Sequence, residues 1–467
     1  MKFRTLILPI LALVVMLGGS SCKKKTTPET FLEVKDFNAS TTLKWHQKFL
    51  EMDKYAKNFR PIPGPRALAY IGLAAYEVCI PGMPAYNSFR GKYFGLNLPT
   101  AETGKAIHWP TALNACYKDL YLKFFNDDKQ TPEGLVALQK TFSQYITEFA
   151  ATQEETNKAE VNNDEVYNRS VKWGKDVAAA VWAWSETDAI GVKAHNSPYD
   201  PSHIMPTGID KWIKTNDNGQ YPAYPFGGRV RTFAISESDK LCPAPLSWST
   251  DDRSQLYAQA MEVYALNTPK LSYEDQWIAE FWSDDLENVS FSPPPRLIAV
   301  ALQFIEKQNS SLEEAIYTCA KLGMALNDAG VACWHSKYYY NFLRPEQYIK
   351  TYIDPTWEPH LKNPLTGEKG LTPNFPAFPS GHSTFAGAGA DVLENIYGND
   401  FEIFDRCHEN NGGLFIGNPR YITPDIMKVE DATSRIPLGV HFRMDCEEGI
   451  ALGEKVARKV NALKWKK

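Results

Sequence analysis

The stretch SLEEAIYTCAKLGMALNDAGVACWHSKYYYNFLRP, residues 311–345, decides how the chain is read. Its apolar residues recur at the three- and four-residue intervals of a helix, not the alternation of a strand. The same period governs RALAYIGLAAYEV from Arg66 and EVYNRSVKWGKDVAAAVWAWSE from Glu165, while clean strand alternation is scarce. Proline and glycine clusters at Pro61–Pro65, Pro198–Gly228, Pro293–Pro295 and Asn363–Pro379 punctuate these segments. The patterns predict an all-α fold with long Pro/Gly-rich loops.

Length and composition fit a large helical body. The chain has 467 residues, 43% hydrophobic and 22% charged, an ordinary globular balance. Net charge is only −5 and no basic stripe is interleaved with aromatics, which gives no footprint for a nucleic acid. The working division is a leader over 1–22, a tether over 23–40, an N-terminal helical half over 41–250 and a C-terminal helical half over 251–467. The Gly- and Pro-rich loop YPAYPFGGRVRTFAI from Tyr221 is placed to cross between the halves.

At the N-terminus, Lys2 and Arg4 precede an apolar run from Leu6 to Leu17, then GGSSC ending at Cys22. The run falls short of the roughly 20 residues that span a bilayer and reads as an export signal. Cys22 resembles the lipidated cysteine of bacterial lipoproteins, with ordinary cleavage near Ser21 as the alternative. Lipidation implies a periplasmic or outer-membrane location in a Gram-negative bacterium, with membrane contact only through that anchor. The seven other cysteines are widely spaced without a CxxC pair, which favours buried thiols over a disulfide framework.

Three polar boxes follow in order. In KYYYNFLRP, Lys337 and Arg344 are seven apart, and seven steps at about 3.6 residues per turn return to nearly one helix face. In PSGH, Ser380 can cap the helix that follows, Gly381 admits a ligand close to the backbone, and His382 can move a proton. In SRIPLGVHFRMD, His441 and Asp445 are four apart, so on a helix the carboxylate can orient that imidazole, and Arg435 reaches in from a preceding turn. Each box alone has a plain structural reading: an exposed cationic face, a capped helix, an internal hydrogen bond. Together, three cations, a glycine-lined helix start and two histidines describe a site for a tetrahedral oxyanion.

The spacing Lys-x6-Arg-Pro, Pro-Ser-Gly-His, Ser-Arg-x5-His-x3-Asp resembles the signature of the vanadium-dependent haloperoxidase and type 2 phosphatidic acid phosphatase superfamily. The resemblance implies two packed helical bundles, with Lys337, Arg344, Ser380, Gly381 and Arg435 holding vanadate or phosphate. It makes His441 the metal ligand or nucleophile, and His382 the acid and base. In the peroxidase branch the substrates would be hydrogen peroxide and a halide, with Lys337 polarising the peroxide; in the phosphatase branch, a phosphomonoester.

Trp334, FPAFPSGHSTFAGA and FWSDD are similar to the peroxidase branch, with Asp285 expected to pair with Arg435. Phe375 stands where chloroperoxidases carry phenylalanine, and Arg296 with Tyr338–Tyr340 is expected around the pocket. The expected activity is vanadate-dependent oxidation of iodide or bromide rather than chloride. An acid phosphatase acting through a phosphohistidine is the alternative, and a glycan-binding lipoprotein without catalysis is a third reading.

Overall fold

The computed structural model describes residues 31–214, 222–266, 271–284, 286–409 and 419–467. The leader, Cys22 and Asp285 lie outside them. Helices α1 (Ser40–Asp53), α2 (Pro63–Cys79), α3 (Trp109–Phe124), α4 (Pro132–Leu138), α5 (Phe142–Val161), α6 (Asp164–Glu186) and α7 (Ala189–Asn196) come first. They are followed by α8 (Gln255–Leu266), α9 (Tyr273–Phe281), α10 (Pro293–Gln308), α11 (Leu312–Tyr340), α12 (Pro345–Tyr352), α13 (Gly381–Tyr397), α14 (Pro424–Thr433) and α15 (Arg443–Asn461). A two-stranded antiparallel ribbon, β1 (Ile403–Asp405) with β2 (Arg420–Ile422), pairs Phe404 with Tyr421. The all-α reading stands, and no helix among the described residues is long and apolar enough to cross a membrane.

The deciding stretch becomes α11. Ser311 caps it, with its hydroxyl accepting from Glu314 N (3.3 Å) and the Glu314 carboxylate returning to Ser311 N (2.8 Å). From Ala320 to Trp334 every residue of α11 is buried, which makes it the axis of the molecule. Glycines let its neighbours approach closely: a Cβ on Gly323 would lie 2.8 Å from Leu68 O of α2. The same device joins α13 to α15, where a Cβ on Gly449 would meet Ser380 O at 2.8 Å and one on Gly387 would meet Ile450 O at 2.5 Å. One hydrophobic core runs through both sides of residue 250, from Trp45 and Tyr117 to Leu452 and Val456.

The segment before α1 is more tightly built than a tether to residue 40 implies. Val34 is fully buried, Asn38 bridges to Ser311, and Phe37 O accepts from Leu312 N (2.8 Å). The physical reason is apolar: Val34 and Phe37 pack on the core, which outweighs the polar composition around them. The loop after Tyr221 lies across α11. The buried Asp328 carboxylate accepts from Phe233 N (2.8 Å), Ala234 N (2.7 Å) and Ile235 N (3.1 Å), while Gly227 lies against Trp334. All seven described cysteines are free, six of them buried.

Burial also makes the fold acid-sensitive at defined points. On α1, His46 Nδ1 donates to Thr42 O (2.9 Å), and desolvation lowers its imidazole from 6.5 to about 4. The unfolded chain titrates at the ordinary value, so the stability of neutral His46 is complete above pH 6.5 and is lost as pH falls toward 4. At pH 5 that loss is about 2 kcal/mol. Urea unfolding at pH 7 and pH 5 checks this: the advantage of wild type over His46→Gln shrinks by that amount at the lower pH.

Candidate functional site

The first box is split by a turn. Asn341 takes a left-handed backbone (φ 48) and its N–H returns to Lys337 O (2.8 Å), ending α11. Arg344 is therefore the N-cap of α12, and the expectation that it shares a helix face with Lys337 is corrected. The two cations still converge, because both reach the segment that leads into PSGH. Lys337 Nζ donates to Pro376 O (2.9 Å) and Ala377 O (2.7 Å), leaving one of its three donors. Arg344 donates from Nε and Nη2 to Phe375 O (3.2 and 3.0 Å), and the Phe375 ring lies 5.1 Å from Lys337 Nζ and 5.3 Å from Arg344 Cζ.

The second box forms the start of α13. Ser380 is the N-cap, its hydroxyl accepting from Ser383 N (3.4 Å), with Gly381 and His382 in the first turn. The Ser380 N–H donates to Asp445 O (2.8 Å), which ties the second box to the third. A Cβ on Gly381 would rest 3.5 Å from the Trp334 ring, ordinary contact, so protein packing alone does not require glycine there.

In the third box, Arg435 leaves the end of α14 and is fully buried. His441 and Asp445 do not share a helix as the four-residue spacing suggested. Phe442 is the N-cap of α15, and the pair straddles the helix start. Asp445 Oδ2 accepts from Phe442 N (3.1 Å) and from His441 Nδ1 (2.9 Å). On the other side of the ring, Nε2 lies 3.5 Å from Arg344 Nη1, a donor. An acceptor at Nδ1 and a donor at Nε2 select one tautomer, with the lone pair on Nε2.

Burial pushes the His441 imidazole well below its ordinary range, and the nearby charges of Arg344, Lys337, Arg435 and His382 push it further. Burial likewise lowers the Lys337 ammonium and raises the Asp445 carboxyl.

Trp334, Phe375, Gly381, His382, Arg435 and His441 line one cavity of about 280 Å³. Lys337, Arg344 and Ser380 are fully buried and do not line the cavity itself. Trp334 is held by the tilted contact of its ring with Phe375 (4.9 Å) and by its Nε1 donating to Ala223 O (3.4 Å).

The wider expectations fare unevenly. Arg296 does not line this cavity: it is held by Asp405 (2.6 Å) and Asp284 (3.6 Å), because a buried guanidinium takes carboxylate partners where it finds them. Tyr338 and Tyr340 donate to Ala223 O (2.5 Å) and Cys242 O (2.7 Å), and Tyr339 is exposed. Arg60, from the N-terminal half, does line the cavity, and no motif had pointed to it.

The family described as the VCPO second helical-bundle domain matches residues 318–465, which contain all three boxes. That match, together with the sequence relative and the solved structures below, supports the vanadium-dependent haloperoxidase and type 2 phosphatidic acid phosphatase superfamily for this chain. A vanadium chloroperoxidase of Curvularia inaequalis is 25% identical over 508 residues, 88% of this chain and 80% of that protein.

Among solved structures of the superfamily, a bacterial vanadium-dependent iodoperoxidase superposes with a TM-score of 0.78 at 22% identity, covering 95% of this chain and 99% of its own. A holo-type bacterial vanadium-dependent chloroperoxidase gives 0.59 at 14% identity, over 87% and 92%. The superfamily's helical-bundle fold thus extends over nearly the whole chain.

Proposed function

We propose that this protein is a vanadate-dependent haloperoxidase that uses hydrogen peroxide to oxidise iodide or bromide in preference to chloride. One observation carries the reading: His441, oriented by Asp445, opens on a small aromatic-walled cavity while three buried basic side chains surround its base. The donor set fits a tetrahedral oxyanion that also takes one nitrogen ligand. His441 Nε2 would supply the nitrogen; Lys337, Arg344, Arg435, the Ser380 hydroxyl and the Gly381 N–H would hold the oxygens. Bound there, vanadate supplies a Lewis acid that activates peroxide.

His382, facing the same space, would take the proton of the incoming peroxide and return it to the product. Trp334 and Phe375 would exclude water. The relatives, a chloroperoxidase and an iodoperoxidase among them, support the peroxidase branch.

Protein prepared without phosphate, loaded with orthovanadate, should oxidise iodide and bromide when peroxide is added. Efficient hydrolysis of p-nitrophenyl phosphate, inhibited by vanadate, would instead establish a phosphatase working through phosphorylated His441. Saccharide binding with neither activity would remove both enzymatic readings. Gly381→Ala gives a sharper check: the methyl group fits the protein but occupies the face where the oxyanion approaches. Vanadate affinity by calorimetry should fall roughly tenfold, with the melting temperature unchanged. Export as a lipoprotein belongs to the same proposal; palmitate labelling lost in Cys22→Ser supports it, and labelling that survives refutes it.

A further inference from the structure

Resting on the lipoprotein reading, we infer that the end of the molecule where the two chain termini meet docks on an anionic lipid bilayer, with the catalytic cavity held at the opposite end. Two helices serve as rulers. Helix α11 begins beside the N-terminal segment, where Ser311 bridges to Asn38 and Leu312 N donates to Phe37 O (2.8 Å). Trp334, in the cavity wall, lies further along the same helix. At the usual helical rise it stands roughly 34 Å from Ser311. Helix α2 gives the same layout in reverse. Arg60 and Pro61, just before it, line the catalytic cavity, while Ile80, Pro81 and Gly82, just after it, line a cleft with Phe31 and Leu32. Its length separates those two places by about 24 Å.

Eight residues, 23–30, connect Cys22 to Phe31. Fully stretched, that link reaches about 30 Å, so a lipid on Cys22 keeps the Phe31 end close to the bilayer. Surface chemistry then favours an upright stance. Phe31 and Leu32 are 64% and 44% exposed, which puts apolar surface at the point of attachment. Trp109 Nε1 donates to Leu32 O (2.9 Å) and fixes that segment to the body.

The C-terminal sequence KWKK comes to the same end. Lys466 bridges to Tyr86, Lys467 N donates to Ala85 O (3.0 Å), and Glu313, at the start of α11, lies in the field of both Lys35 and Lys466. Lys464, Lys466 and Lys467 are exposed. Nearby acidic groups are engaged: Glu33 pairs with Lys35 (2.6 Å), Asp36 accepts from Glu33 N (2.8 Å) and Glu314 from Ser311 N (2.8 Å). Lys23, Lys24 and Lys25 follow Cys22 directly and add charge beside the lipid. An acyl anchor combined with a basic patch holds a protein against anionic headgroups. In this stance the cavity draws on water-borne substrates and not on the lipids of its own bilayer.

Amine-reactive footprinting read by mass spectrometry tests the orientation. The full lipidated chain on vesicles of phosphatidylethanolamine and phosphatidylglycerol is compared with Cys22→Ser free in solution. Lys35, Lys464 and Lys467 should react more slowly on vesicles by roughly threefold or more. Lys362 and Lys369, in a cleft that shares Leu361 with the catalytic cavity, should react at the same rate in both. Lys464→Glu combined with Lys467→Glu should still float with the vesicles but lose the protection at Lys35. Protection at Lys362 and Lys369 instead, or equal reactivity at the two ends, would overturn the inference. So would protection of Lys35 that survives both substitutions, since the short link alone would then explain it. Should that variant not fold, the wild-type footprint decides alone. Wild type that takes up palmitate and floats, yet gives a contrary footprint, leaves the lipoprotein reading standing. Wild type that takes up none and does not float removes that reading and the docking with it.

Discussion

His441→Ala should reduce vanadate- and peroxide-dependent iodide oxidation to background, a loss of about a thousandfold or more. The size follows from how many features converge on that one ring. Asp445 holds its Nδ1 at 2.9 Å, Arg344 meets its Nε2 at 3.5 Å, and burial, with four neighbouring groups adding to it, lowers its imidazole. Alanine leaves the cations in place but removes the lone pair they were arranged around. The fold should survive, because Asp445 still accepts from Phe442 N and burial already favours its neutral form. Steady-state rates at saturating vanadate, beside a circular dichroism spectrum, check this. Retention of more than about a tenth of the activity would remove His441 from the chemistry.

Gly453→Val should destabilise the protein by about 3 kcal/mol or more. A Cβ at this position would fall 2.7 Å from Ala388 N and inside contact distance of Thr384 O, both backbone atoms that cannot rotate away. Helices α13 and α15 would have to part. Their joint also ties the second box to the third, since Ser380 N donates to Asp445 O across it. Activity measured well below the melting temperature should therefore fall along with stability in urea. A variant within about 1 kcal/mol of wild type would show that this close approach is not what holds the boxes together.

These two residues illustrate what the sequence disclosed. The small residues after PSGH let α13 pack closely on α15, against Gly449 and Gly453. Helical period and cap chemistry were local, so α11 and the Ser380 cap could both be read. The left-handed turn at Asn341 was hidden because an uninterrupted helix would have placed Lys337 and Arg344 on one face equally well. The start of α15 was misread for a related reason: a spacing of four is satisfied across a helix N-terminus as readily as within a helix. Arg60 left no trace, because a residue brought to a cavity by tertiary packing has no spacing relative to the motifs it joins. Val34 was absorbed into a polar-looking tether for the same reason.

The central claim is that three separated segments build a single oxyanion site around His441, and a crystal structure of the protein soaked with orthovanadate tests it most directly. Vanadium should lie bonded to His441 Nε2, with Lys337, Arg344, Arg435 and the Gly381 N–H around its oxygens. Vanadium bound elsewhere, or a cavity that stays empty at concentrations supporting full halide oxidation, would contradict it.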